Sequence, residues 1–381
     1  MKNTVNSSSW VEADFRELPE KQGLPRGWQD TSKCFKTRPE FLVMQEKGVR
    51  FLRLSVGEKG KVQIRLPLKR RFNRETAFRI TILGRSSNPV GALLGIRTLG
   101  KPEQSDEVDA AILVNFTADW KEWKITTRGG PVRGPVAFYF NFGTAAAVNV
   151  DLLYIKVDEI PAKEHTPAPC IAEGHEGHWN GGWIETHDRM RRDARQKQPE
   201  IAWWGDSITA GWLSDGRAAW DREFAPMNIM NFGIGGDTVE TILWRVRDAK
   251  VGEVFSPRLV VLMIGANNLF RIHSPADIAE GMVGLLKEFR QRLPKSRLLL
   301  LGVLPSRHNP KDGLRNRIKA LNQRYKKLAD GKRVLFADVG AAVLEANGSI
   351  NKDLSTDGTH FLAPGYERLA RVIAPKIRQL G

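Results

Sequence analysis

Only two cysteines, Cys34 and Cys170, occur in 381 residues, which excludes a disulfide-rich scaffold and leaves at most one bridge, whose presence stays open. No apolar run approaches the roughly 20 residues that a membrane-spanning helix needs. Residues 1–11 are polar, with none of the apolar stretch of a secretory leader. Secretion after loss of a leader and residence in the cytoplasm both stay open. Acidic residues are in deficit, 43 against 59 basic ones, giving a net charge of +16. A surface of that sign attracts polyanions: nucleic acid, an anionic membrane face or an acidic polysaccharide. The basic residues are scattered, with only short runs such as Lys69-Arg70-Arg71, and neither zinc-finger spacing nor an aromatic RNA-binding box is present, which points away from nucleic acid. His175, His178 and His187 stand near Glu173 and Glu176, but no cysteine pair supports a zinc site in this Gly- and His-rich stretch, so neither metal nor cofactor is expected.

What is present reads as a folded chain of two domains. A hydrophobic content of 41% and a charged content of 27% are ordinary globular values, and the length exceeds that of most single cores. The spacing predicts short strands over 50–56, 61–68, 77–83, 110–116, 123–127, 136–142 and 148–157, separated by glycine-bearing turns. Such spacing suggests an antiparallel β-sandwich over residues 1–160. Proline, glycine and histidine crowd residues 161–182, the expected linker. Over 183–381 the rhythm changes: apolar runs at 201–204, 229–232, 259–264, 298–304 and 334–337 alternate with helical periodicity, clearest at 275–292 and 313–330. That alternation predicts an α/β fold with a parallel sheet covered on both faces, whose chemistry gathers at the carboxyl ends of the strands.

Each of the first three of these strands runs into a polar, glycine-bearing segment: Gly205-Asp206-Ser207, then Gly233-Ile234-Gly235-Gly236-Asp237, then Gly265-Ala266-Asn267-Asn268. A serine opening a helix places its hydroxyl where backbone amides are unpaired and negative charge is favoured, which makes Ser207 the candidate nucleophile. Glycine lets the backbone approach a substrate, and asparagine offers an NH₂. The amides of Ser207 and Gly236 and the side chain of Asn267 are therefore candidate donors to a tetrahedral oxyanion. A serine needs a base. Asp357 and His360 stand three residues apart in a segment that precedes an amphipathic helix beginning near Pro364, and groups so spaced at the start of a helix can face the same way, with His360 taking the serine proton and Asp357 steadying the imidazolium.

In that order, Gly205-Asp206-Ser207, Gly236, Asn267 and Asp357-x-x-His360 resemble the four blocks of the SGNH (GDSL-type) esterase superfamily. The run from Asn231 to Thr238, Leu243-Trp244-Arg245 and Leu304-Pro305 is similar to the branch of platelet-activating-factor acetylhydrolase catalytic subunits. Asn268 matches that branch, where the wider superfamily commonly has Asp; Ile208 replaces the usual leucine. The resemblance covers about residue 183 to the end. It implies a flavodoxin-like three-layer α/β/α domain, no metal, a preference for acetyl groups, and relatives that include dimers, so an oligomer is possible. More weakly, the N-terminal region resembles jelly-roll carbohydrate-binding modules, with Trp120, Trp123, Tyr139 and Phe142 as candidates for sugar stacking, although alternating aromatics in a sandwich are more often core. The combined expectation is a serine esterase that deacetylates a carbohydrate, with acidic polysaccharide a plausible partner. The alternatives are an acetylhydrolase of phospholipids or small esters, and a non-catalytic binder of anionic glycans.

Overall fold

Period-two alternation of apolar residues shapes the N-terminal half, and glycine-ended apolar strands shape the C-terminal half. The computed structural model describes residues 9–19, 23–68, 76–98, 110–129, 136–165, 167, 182–270 and 273–380. The chain divides into two units, Met1–Thr166 and Pro167–Gly381. Of the expected linker, 168–181 lie outside the described residues, as do Cys170, His175, His178 and the Cys34 side chain.

The first unit is a sandwich of two antiparallel sheets. One contains β1 (Ser9–Asp14), β3 (Glu40–Glu46), β4 (Val49–Val56), β6 (Thr76–Ser86), β9 (Lys121–Gly129) and β11 (Val148–Ile160); the other contains β2 (Gln29–Asp30), β5 (Lys61–Leu68), β7 (Val90–Thr98), β8 (Ala110–Phe116) and β10 (Val136–Gly143). From β4 to β11 each strand crosses to the opposite sheet except at the β7–β8 hairpin, which is jelly-roll wiring. Leu52 and Leu54, Val62 and Ile64, Phe78 and Ile80, and Phe138 and Phe140 alternate into one core. In β11 the buried series runs Val148, Val150, Leu152 and then Ile155, Val157. The register shift between Leu152 and Tyr154 is what changes its phase. β1, β2, β3 and β7 were not expected: the first three are sheet-edge or weakly patterned segments, and Gly91 and Gly95 interrupt the apolar pattern of β7.

Sequence-based stacking candidates separate here. Phe142 is a core residue, and Trp123 packs onto that core edge-on to Phe116. Both are packing residues, the more usual fate of alternating aromatics in a sandwich, because the alternation that makes an aromatic prominent in a strand also turns it inward. Trp120 instead packs edge-on against Phe51 with the Arg85 guanidinium 4.7 Å from its ring centroid.

The second unit is built on five parallel strands, β12 (Ile201–Gly205), β13 (Ile229–Gly233), β14 (Leu259–Met263), β15 (Arg297–Leu301) and β16 (Val334–Ala337), in the order β13-β12-β14-β15-β16. This is the flavodoxin-like order, whose switch point lies between β12 and β14. Its helices are α1 (Trp183–Lys197), α2 (Ser207–Ala210), α3 (Arg217–Glu223), α4 (Val239–Asp248), α5 (Ala266–Phe270), α6 (Pro275–Arg292), α7 (Gly313–Lys326) and α8 (Ala363–Leu380). Every residue of β12 is buried. Ala202 and Trp204 join the core beneath α1, α4, α6 and α7, while Ile201 and Trp203 join the opposite core with residues of α3 and α8. Burial on both faces explains the unbroken apolar runs. Among the described residues no helix is long and apolar enough to cross a membrane.

Candidate active site

The nucleophile candidate is placed by close backbone packing. A Cβ on Gly205 would lie 2.0 Å from Thr209 Oγ1 and 2.7 Å from the Met263 carbonyl, and one on Gly233 would lie 2.3 Å from the Ala210 nitrogen. Both strand ends therefore have to be glycine for α2 to sit against the sheet. Asp206 caps α2, its carboxylate accepting from the Ile208 amide at 3.0 Å. Asn231 donates to the Thr209 carbonyl at 2.7 Å and accepts from the Gly233 amide at 2.8 Å, tying the far end of α2 to β13. From the other side the Tyr366 hydroxyl of α8 donates to the Ile208 carbonyl at 2.8 Å.

Ser207 Oγ lies 2.9 Å from His360 Nε2, and His360 Nδ1 lies 2.7 Å from Asp357 Oδ2. The structure thus brings these three side chains into one hydrogen-bonded chain. Asp357 and His360 precede α8, as their sequence position predicts, but the means of bringing them together is not a helical face. Asp357 Oδ1 accepts from the backbone amides of Thr359 and His360, both at 2.8 Å, and Gly358 takes φ +75° between them. An Asp-centred turn, rather than a helical face, sets the spacing. Partial burial pushes the Asp357 carboxyl up, but hydrogen bonds from the His360 ring and from the His360 and Thr359 amides outweigh it and hold the group well below the ordinary carboxylate range. The Asp357 and His360 side chains are 53% and 56% exposed, so the pair lies on an open rim.

In the loop after β13, Gly236 takes φ +83° with open space where a Cβ would stand. Its loop is tied to β12 through the Ile234 amide, which donates to the Gly205 carbonyl at 3.2 Å. Asn267 Nδ2 donates to the Asp237 carbonyl at 2.9 Å, which leaves its second hydrogen available. Neither the Ser207 amide nor the Gly236 amide has an acceptor among the described residues. The next residue, Asn268, is buried: it accepts from the Val239 amide at 3.0 Å and donates to Glu240 at 2.7 Å, so α5 is locked to α4.

Beneath this loop lies a charged network to which the residues alone assigned no role. Asp237 and Arg245, both fully buried, pair at 2.5 Å; Trp183 and Thr241 also donate to Asp237, at 2.9 and 3.0 Å. Burial pushes the Asp237 carboxyl up, opposed by the Arg245 charge and by the hydrogen bonds from Trp183, Arg245 and Thr241. Arg245 also donates to the Phe232 carbonyl at 2.8 Å, joining the end of β13 to α4. His187 has both ring nitrogens engaged, Nδ1 with Arg245 at 3.3 Å and Nε2 with Asp248 at 2.9 Å, so this member of the histidine group is a packing residue. Asp206, which precedes the serine, is also buried, and burial pushes its carboxyl up to about 7.

Three consecutive residues after β15 fasten the loop that carries Asp357 and His360. Ser306 Oγ lies 2.7 Å from Thr359 Oγ1, the Arg307 amide donates to the Gly358 carbonyl at 2.7 Å, and His308 places Nε2 3.1 Å from the Thr356 carbonyl and Nδ1 2.8 Å from that of Ile350. In sequence, Arg307 and His308 simply follow the fourth apolar run, where a loop can meet substrate or solvent, and contacts across some 50 positions leave no local pattern.

A model of the GDSL-like lipase/acylhydrolase family matches residues 204–368. Platelet-activating factor acetylhydrolase IB subunit alpha1 of Bos taurus is 30% identical over 217 residues, covering 57% of this chain and 88% of its own. Subunit alpha2 of Rattus norvegicus is 29% identical over 216 residues, covering 56% and 90%. Among solved structures, an active-site mutant of a family two carbohydrate esterase from Clostridium thermocellum aligns over 90% of this chain and 98% of its own, at 10% identity and a TM-score of 0.36, a likeness too slight to bear on function. The molecule is a carboxylic ester hydrolase. Its chain belongs to the GDSL-like lipase/acylhydrolase family.

Proposed function

We propose that this protein is a serine esterase that removes acetyl groups from a carbohydrate. The observation that carries the reaction is the chain from Ser207 through His360 to Asp357, at 2.9 and 2.7 Å. Ser207 Oγ attacks the acetyl carbonyl while His360 Nε2 takes its proton, and Asp357 steadies the resulting imidazolium. The tetrahedral oxyanion is met by the amides of Ser207 and Gly236 and by the free hydrogen of Asn267 Nδ2. Collapse breaks the bond to the sugar oxygen, which receives the proton from His360 and leaves an acetyl-serine. His360 then deprotonates a water that attacks this acyl group, releasing acetate and restoring the hydroxyl.

The acetyl preference is supported by the acetylhydrolase relatives, and the polymeric substrate by three features. The triad stands on an open rim, an antiparallel sandwich shares the chain, and the net charge of +16 suits an anionic glycan. The names of the relatives favour a second reading, in which the ester belongs to a phospholipid or another small molecule. Acetate release from acetylated xylan, acetylated pectin and an acetylated glycerophospholipid, each with wild type and Ser207→Ala, separates the two. Release from a glycan that Ser207→Ala abolishes is the expected result. Release from the lipid alone refutes the carbohydrate substrate, and an unaffected Ser207→Ala refutes the mechanism.

A further inference from the structure

Arg307 occupies an unusual position for a long cationic side chain. Its backbone has φ +74°, a region that residues other than glycine and asparagine rarely enter. The strain is held from both sides: its amide donates to the Gly358 carbonyl at 2.7 Å, and its own carbonyl accepts from Arg315 Nη2 at 2.7 Å. A Cβ on Gly358 would lie 3.0 Å from the Arg307 Cα, so the two segments are in contact between Asp357 and His360. The side chain then reaches a different element, its guanidinium 5.3 Å from the ring centroid of Phe270. Phe270 is 37% exposed and lies on α5, three residues beyond Asn267. Arg307 thus spans from the loop of the candidate base to the helix of a candidate oxyanion donor. It is exposed, and no carboxylate pairs with it among the described residues.

A guanidinium seated on an aromatic ring is pre-organised: it keeps its edge donors and loses little freedom when an anion arrives. We propose that Arg307 determines specificity by binding a carboxylate on the alcohol side of the ester, so that the preferred substrate is an acetylated glycan containing uronic acid. This rests on the esterase reading above and adds the substrate class to it. Two features favour a uronate over a phosphate: the open rim, which admits a chain of sugars, and a basic surface that would concentrate a polyanionic polymer. Arg307 is a binding residue in this scheme and takes no proton.

The test compares kcat/KM for acetylated oligogalacturonides with that for neutral acetylated xylo-oligosaccharides, in wild type, Arg307→Asn and Arg307→Lys. Asparagine tolerates the positive φ, so the loop survives while the charge is lost. Wild type is expected to prefer the acidic substrate, and the preference to weaken as salt rises. Arg307→Asn should lower the acidic-to-neutral ratio about tenfold or more, through KM, as befits loss of a charge-assisted hydrogen bond. Arg307→Lys should keep part of the ratio. An equal loss on both substrates would make Arg307 a loop residue only and overturn the proposal, as would a wild type without acidic preference. Arg307-dependent turnover of an acetylated glycerophospholipid in place of the uronate would overturn the substrate class. Failure of the esterase reading looks different, since wild type would then release acetate from no ester at all.

Discussion

Replacing Asp357 by asparagine changes one atom type and should reverse the direction of a proton. Asp357 Oδ1 accepts from the Thr359 and His360 amides at 2.8 Å each and from the Ser355 hydroxyl at 3.3 Å, whereas Oδ2 faces only His360 Nδ1, at 2.7 Å. An asparagine in this pose has to keep its carbonyl oxygen at Oδ1, where three donors converge, and so turns its NH₂ toward Nδ1. Nδ1 then becomes an acceptor, the ring proton moves to Nε2, and the nitrogen 2.9 Å from Ser207 Oγ can no longer accept a proton. A triad held in the wrong tautomer loses about 10⁴ in turnover, or about 5 kcal/mol at the transition state. The loop keeps its backbone hydrogen bonds, so stability should fall by no more than about 1–2 kcal/mol. Initial rates on 4-nitrophenyl acetate, together with urea unfolding of the same preparations, measure both effects. A folded Asp357→Asn enzyme within tenfold of wild type would refute the idea that this contact sets the tautomer.

Asp206 should make stability depend on pH in the opposite sense to a salt-bridged acid. Its carboxyl is raised to about 7 in the folded state, against about 3.9 unfolded, so the folded state holds a proton that the unfolded state has lost, and stability falls as pH rises from about 4 to 7. Asp206→Asn, which keeps the cap on Ile208, should remove that slope, worth on the order of 4 kcal/mol; a wild-type–variant difference in urea midpoint that stays constant from pH 4 to 8 would contradict this. Arg245→Met leaves Asp237 buried without its cation and should cost about 3–5 kcal/mol, with a large part regained when Asp237→Asn is added; a double-mutant cycle by chemical denaturation reads the coupling. Asn267→Ala should lower kcat by about 10²–10³ with little change in KM, and a change in KM alone would move Asn267 from the oxyanion to ground-state binding.

The candidate site was legible wherever chemistry requires a particular residue type at a strand end. Gly205 and Gly233 announce themselves because α2 lies against them, and Ser207, Gly236 and Asn267 because each follows a buried strand of the same sheet. The parallel sheet was equally plain, since β12 and β14 are buried on both faces and carry no polar residue to blur them. What escaped is held by distance in the chain. Ser306, Arg307 and His308 meet the loop from Thr356 to Thr359 through backbone carbonyls and a hydroxyl, contacts that no local pattern records. In the sandwich, β7 escaped because two glycines thin out its apolar face, and Phe142 and Trp123 stayed open between core and sugar stacking because periodicity does not say which face of a strand is covered.

Ser207 and the histidine beside it are separated by 153 positions, and the nucleophile's helix is held by a hydroxyl from α8, the last helix of the chain. Under the proposed mechanism, activity therefore waits until residues 357–366 have docked beside α2. Most of the sheet and its tryptophans can be packed by then. Ester turnover during refolding would accordingly report the docking of the C-terminal segment, and would lag behind the burial of Trp203 and Trp204. In the proposed mechanism the hydroxyl and the imidazole it needs stand 153 positions apart, so activity reports a long-range contact and not local folding.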